Sequence, residues 1–173
     1  MRGRTDVAAL LALALLCGCS NQATPTVGDQ ASDQADCRFP EPMTTLLKTQ
    51  PTRAVAACRH LAERGDAVGE ARLGYLYQAG LGVQQDFAAA ARWYRLAAGK
   101  GNAAAQNNLG SLYERGQGVP RDLVQALAWF SLAAAQGNDG GVANRALVAK
   151  QLTPAQIAEA EKLAQTLKTT GGP

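Results

Sequence analysis

The reactive side chains of this chain are few. Four cysteines (Cys17, Cys19, Cys37 and Cys58) and a single histidine, His60, are its soft and basic groups. A Ser or Cys nucleophile needs an adjacent base held in place by a third group. His60 sits in Arg59-His60-Leu61 with no nucleophile pattern around it, and it reads as a structural residue. Zinc requires clustered His and Cys ligands, and none are clustered. Asp86 and Asp122 each precede an apolar helical stretch and are expected to cap it, while Glu114, Glu159 and Glu161 fall at solvated positions. No two carboxylates stand out as an acid and base pair. The expectation is a non-catalytic protein with no metal and no cofactor.

Two glycine-rich stretches raise a different chemistry, phosphate binding. Gly80-Leu81-Gly82-Val83 and Gly116-Gln117-Gly118-Val119 share one pattern. A phosphate-binding loop follows a strand and carries a third Gly or a Lys in register. Here a helical pattern precedes each stretch, and neither the third Gly nor the Lys is present. The first Gly is expected to end a helix in the left-handed conformation, and the second to allow a tight turn.

The cysteines near the N-terminus have a stronger reading. Arg2 and Arg4 open the chain, and Val7 to Leu16 is an unbroken apolar run of ten residues. That is too short to span a membrane and suits the core of a secretory signal. The run ends in Leu16-Cys17-Gly18-Cys19, which resembles a bacterial lipobox. By that resemblance residues 1–18 are a lipoprotein signal peptide and Cys19 becomes the lipidated first residue. Ser20 in the next position implies sorting to the outer membrane, facing the periplasm. A plain secreted protein cut nearby is the alternative. The chain after residue 18 holds 15 basic and 13 acidic residues. This balance gives no electrostatic footprint for nucleic acid. Residues 19–36 are polar, lack an apolar period and read as a flexible tether. In an oxidising compartment Cys37 and Cys58 are expected to form a disulfide, the alternative being two buried free thiols.

The elements that would position these residues come from a repeat. Leu73 to Asn102 recurs at Leu109 to Asn138 with a constant offset of 36 residues, and 15 of the 30 aligned residues are identical. Ala90, Trp93, Tyr94, Ala97 and Ala98 share one helix face, as do Ala126, Trp129, Phe130, Ala133 and Ala134. Leu73, Leu76 and Tyr77, with Leu109, Leu112 and Tyr113, mark a helix before each of these. Asp122 and Gln125 resemble a capping box. Gly74 and Gly110 fall inside the earlier helices, where Gly costs about 1 kcal/mol. A neighbour's Trp or Ala packed against bare backbone is the expected reason.

Leu-Gly-x-Leu-Tyr-x-x-Gly-x-Gly-Val-x-x-Asp, followed by Ala-x-x-Trp-aromatic and Ala-Ala-x-x-Gly-Asn, resembles the Sel-1-like repeat, a relative of the tetratricopeptide repeat. The resemblance implies an all-α fold, a short right-handed α-solenoid of antiparallel helix pairs. The repeat domain is set at residues 37–168: a half repeat at 52–66, repeats at 67–102 and 103–138, and a C-terminal cap at 139–168. About seven helices are expected, with a disordered tail at 169–173. Thr153-Pro154-Ala155-Gln156 should open the last helix with a capping box. Its stripe of Ile157, Ala160, Leu163, Ala164 and Leu167 should close the open end of the stack.

The same resemblance places non-consensus positions of the first helices on an inner groove. They are Ala71, Tyr75 and Gln78, then Asn107, Ser111 and Glu114. This mixed polar set suits a peptide or a partner's loop, and another protein or peptide is the expected partner. Cysteine-rich members of the family are associated with β-lactam binding, which makes a peptidoglycan- or β-lactam-interacting protein the first alternative. This chain has no Cys within either clear repeat. A purely structural outer-membrane lipoprotein is the second alternative.

Overall fold

A computed structural model of the chain describes residues 49–170. The signal segment, Cys19, the tether and Cys37 lie outside the described residues, as do residues 171–173. Among the described residues seven helices follow one another and no strand occurs. They are α1 (Pro51–Glu63), α2 (Ala67–Ala79), α3 (Phe87–Gly99), α4 (Ala103–Arg115), α5 (Leu123–Ala135), α6 (Asp139–Ala149) and α7 (Pro154–Thr170). The offset seen in the sequence governs the backbone. α1, α3 and α5 begin 36 residues apart, and so do α2, α4 and α6. The chain is an all-α helical repeat solenoid.

Side-chain caps set the helix starts. The carboxylate of Asp66 accepts from the amides of Val68 and Gly69, and that of Asp86 from Ala89. Asn102, Asp122 and Asn138 cap α4, α5 and α6 in the same way. Each such cap contributes about 1 kcal/mol. The box expected at Asp122 and Gln125 is only half formed. Gln125 donates its amide to Asp122, but the Asp122 amide is taken by the carbonyl of Tyr113 at 3.0 Å. The box at Thr153 closes both ways, at 3.0 and 3.3 Å. α2 and α4 end on Gly80 and Gly116 in the left-handed conformation, whose amides return to Leu76 and Leu112.

Adjacent helices share small-residue interfaces. Leu73, Leu76, Leu109 and Leu112 are buried together with an alanine-rich set from the second helices. The mid-helix glycines permit this approach. A Cβ on Gly74 would lie 2.8 Å from the ring of Tyr94, and one on Gly110 would lie 2.7 Å from the ring of Phe130. The covering group is thus the aromatic that follows each Trp, and not the Trp or Ala expected. Trp93 turns instead toward the cluster around α1. The half repeat joins by a repeated bond. Arg59 donates to the hydroxyl of Tyr77, and Arg95 to that of Tyr113, both at 3.1 Å.

α7 departs from the expected closure of the stack. It packs on α5 and reaches α3, with Ala164 and Leu167 beside Trp129 in the central cluster. α6 consequently remains the open end, with Val142 53% and Leu147 57% exposed. The physical reason is that Trp129 and Leu132 present an apolar flank on α5, and Ala164 and Leu167 of the α7 stripe are buried against it. α7 also continues to Thr170, into the segment expected to be a disordered tail.

Candidate interaction site

The first helices of successive pairs, α2, α4 and α6, carry the positions expected to line an inner groove. Ala71 and Tyr75 line a hollow of about 270 Å³ between α2 and α4. Its other walls are Val68, Arg72, Asn102, Ala104 and Asn108. Tyr75 is 45% exposed, which leaves an aromatic face open to solvent. Arg72 is half-buried, and its guanidinium makes no hydrogen bond or ion pair among the described residues.

Gln78 does not line that hollow. Its Oε1 accepts from the hydroxyl of Tyr94 at 2.7 Å. Burial pushes the Tyr94 hydroxyl well above the ordinary phenol range; Asn108 beside it partly opposes the shift, and Tyr75 adds to it. Tyr94 is therefore a neutral donor that ties α3 to α2 beneath the groove. The other three expected residues lie on α4 and do not line that hollow. Asn107 Oδ1 accepts from Asn144 Nδ2 of α6 at 2.9 Å. Ser111 Oγ donates to the Asn107 carbonyl at 3.2 Å, within its own helix. Glu114 is half-buried, and its backbone carbonyl accepts from Arg121 at 3.0 Å.

The structure therefore groups Ala71 and Tyr75 with Arg72 and Asn108, which the sequence reading passed over. Asn144 was missed as well. A signal for them existed, because Arg72, Asn108 and Asn144 are spaced by the 36-residue offset. The offset became visible at Asn144 only once residues 139–149 proved to be a true first-type helix.

Cys58 is fully buried on α1 and disulfide-bonded. Cys37, its expected partner, lies outside the described residues, as does Cys19. His60 is half-buried on α1. Among the described residues no cluster of three or more His, Cys, Asp and Glu could hold a metal ion. No described helix is long and apolar enough to cross a membrane.

Comparison with known proteins agrees with this architecture. The Sel1 repeat matches residues 67–102 and 103–138. A solved structure of a protective antigen present in uropathogenic Escherichia coli strains, displaying an SLR fold, is similar at 33% identity and a TM-score of 0.73. That alignment covers 84% of this chain and 31% of the other. A Sel1 repeat protein from Oxalobacter formigenes is similar at 35% identity and a TM-score of 0.50, over 54% of this chain and 38% of the other. The chain thus spans about a third of the length of these structures. A search of curated proteins gives no match. Residues 67–138 thus carry two tandem Sel1 repeats, in a fold that is similar to that of these solved structures.

Proposed function

We propose that this chain is a non-catalytic scaffold that binds another protein or peptide through the groove between α2 and α4. We place it in the bacterial cell envelope, anchored by a lipid on Cys19 and facing the periplasm from the outer membrane. Sel1-repeat proteins generally mediate protein–protein interaction. The observation that carries the reading is how the repeat positions divide. The shared ones are consumed by packing, turns and caps, whereas Tyr75, Arg72 and Asn108 line an open hollow. An exposed aromatic beside an unpaired guanidinium is the composition enriched at binding hot spots.

The test is capture from solubilised cell envelopes with the full chain, in parallel with Tyr75→Ala and Asn108→Ala variants. A protein recovered with the wild type and lost with both variants, at unchanged melting temperature, supports the reading. Recovery of cell-wall fragments, or a protein retained equally by the variants, overturns it. Anchoring is tested separately. Incorporation of labelled fatty acid should vanish in Cys19→Ser, and incorporation that persists there overturns the lipid site.

A further inference from the structure

The displacement of α7 onto α5 opens a groove on the flank of the stack. It measures about 590 Å³ and lies between α5, α6 and α7. Arg145 of α6 faces it from the repeat position that buried Leu73 and Leu109 fill in the regular pairs. Ala158, Glu161, Lys162, Gln165 and Lys168 line it from α7. Their spacing puts them on one helix face. The groove thus carries three cations and one carboxylate. None of these four side chains is engaged by an ion pair or hydrogen bond among the described residues. A second hollow, about 350 Å³, continues from it and shares Leu132, Ala135 and Lys168 with it. That continuation is lined mainly by Ala, Gly and Leu residues, together with Gln106, Gln136 and Lys168.

We infer that this groove docks an extended acidic segment of a partner protein, with an apolar residue following its carboxylates. The charge excess selects carboxylates, which Arg145 can hold in two parallel hydrogen bonds. Lys162 and Lys168 are six residues apart on α7, about 9 Å along the helix. An extended chain spans that distance in about three residues. The apolar continuation beyond Lys168 accepts the next side chain. An anionic membrane surface fits less well, because these cations line a recess between helices and a broad surface does not enter one. The site is separate from the α2–α4 groove, so its test stands apart from the test of that reading.

The probe is a fluorescein-labelled peptide, Glu-Asp-Glu-Asp-Leu-Leu, titrated against the full chain, with amide shifts followed in an isotopically labelled sample. The expected result is saturable binding that weakens with added salt, with shifts confined to Arg145, α7 and the end of α5. Arg145→Glu with Lys162→Glu should weaken binding about tenfold or more. Tyr75→Ala should leave it unchanged. Both altered residues are exposed, and circular dichroism checks that the fold is kept. Three outcomes overturn the inference: no binding at millimolar peptide, undiminished binding by the charge-reversed variant, or shifts centred on α2 and α4. Binding of phosphatidylglycerol vesicles without the peptide, lost in the same variant, also overturns it in favour of a membrane contact.

Discussion

Lys100 Nζ lies 2.5 Å from Glu70 Oε1, and thirty-six residues further along the chain Gln136 Nε2 lies 2.7 Å from Gln106 Oε1. The two repeats therefore fill one structural position with an ion pair and with a neutral pair. Glu70 is 2% exposed, and its second oxygen has no hydrogen-bond partner. The matching atom of Gln106 is Nε2, which donates to the Ala98 carbonyl at 3.1 Å. Lys100→Gln alone should leave a buried carboxylate without its cation and destabilise the fold by about 1–3 kcal/mol. Combined with Glu70→Gln it should recover the loss, because the pair then copies the second repeat and gains a donor where Glu70 has none. Urea unfolding of the two single variants and the double variant yields the coupling directly. Strictly additive losses would contradict this account.

The ring of Phe130 stands where a Cβ on Gly110 would go, with the Ala126 carbonyl 3.2 Å from the same point. Gly→Ala inside a helix ordinarily stabilises by about 1 kcal/mol. Here the added methyl must displace an aromatic ring in a close-packed interior, so Gly110→Ala is expected to cost about 1–3 kcal/mol instead. Gly110→Leu should prevent stable folding. Shrinking the ring with Phe130→Leu should relieve part of the Gly110→Ala penalty. Thermal melts decide, and an unchanged midpoint for Gly110→Leu would refute the packing role.

What the sequence made legible was local. The caps at Asp86 and Asp122 act within one helical turn, and the left-handed turns at Gly80 and Gly116 depend on single residues. The 36-residue offset carried over to every helix start from α1 to α6 because each pair packs mainly on its neighbours. The misses were matters of direction. An apolar stripe places Trp93 and Tyr94 on the same helix face, but it does not resolve which of them leans over Gly74. The stripe of α7 marked the face to be buried and left open whether α6 or α5 would bury it. Arg72 and Asn108 form a hollow only because α2 and α4 stand side by side, a relationship with no trace in either helix alone.

The expected bridge between Cys37 and Cys58 would close a loop of about twenty residues, which constrains the unfolded chain by about 3 kcal/mol. Reduction should lower the melting temperature, and Cys37→Ala should lower it equally with no further effect of reductant. Cys58 is fully buried, so Cys58→Ala carries an additional packing loss. Mass spectrometry of unreduced, alkylated protein checks the pairing: two labelled thiols on folded protein would contradict it.

Alkaline pH should reach the protein through Tyr94. Its hydroxyl is buried and donates to Gln78, and burial raises its ionisation above the ordinary value of 10.0. The folded state thus holds the phenol proton more tightly than the unfolded chain does. Below the unfolded value both states are protonated, and the contribution of this group does not vary with pH. Above it the unfolded chain ionises first, so stability falls as pH rises through and beyond that value. Tyr94→Phe copies the residue that the second repeat uses at Phe130. It should cost about 1 kcal/mol at neutral pH, since Gln78 loses its donor. It should also flatten the decline above pH 10, relative to wild type, in urea unfolding measured at a series of pH values. A variant whose alkaline decline remains as steep as wild type would show that another group carries it.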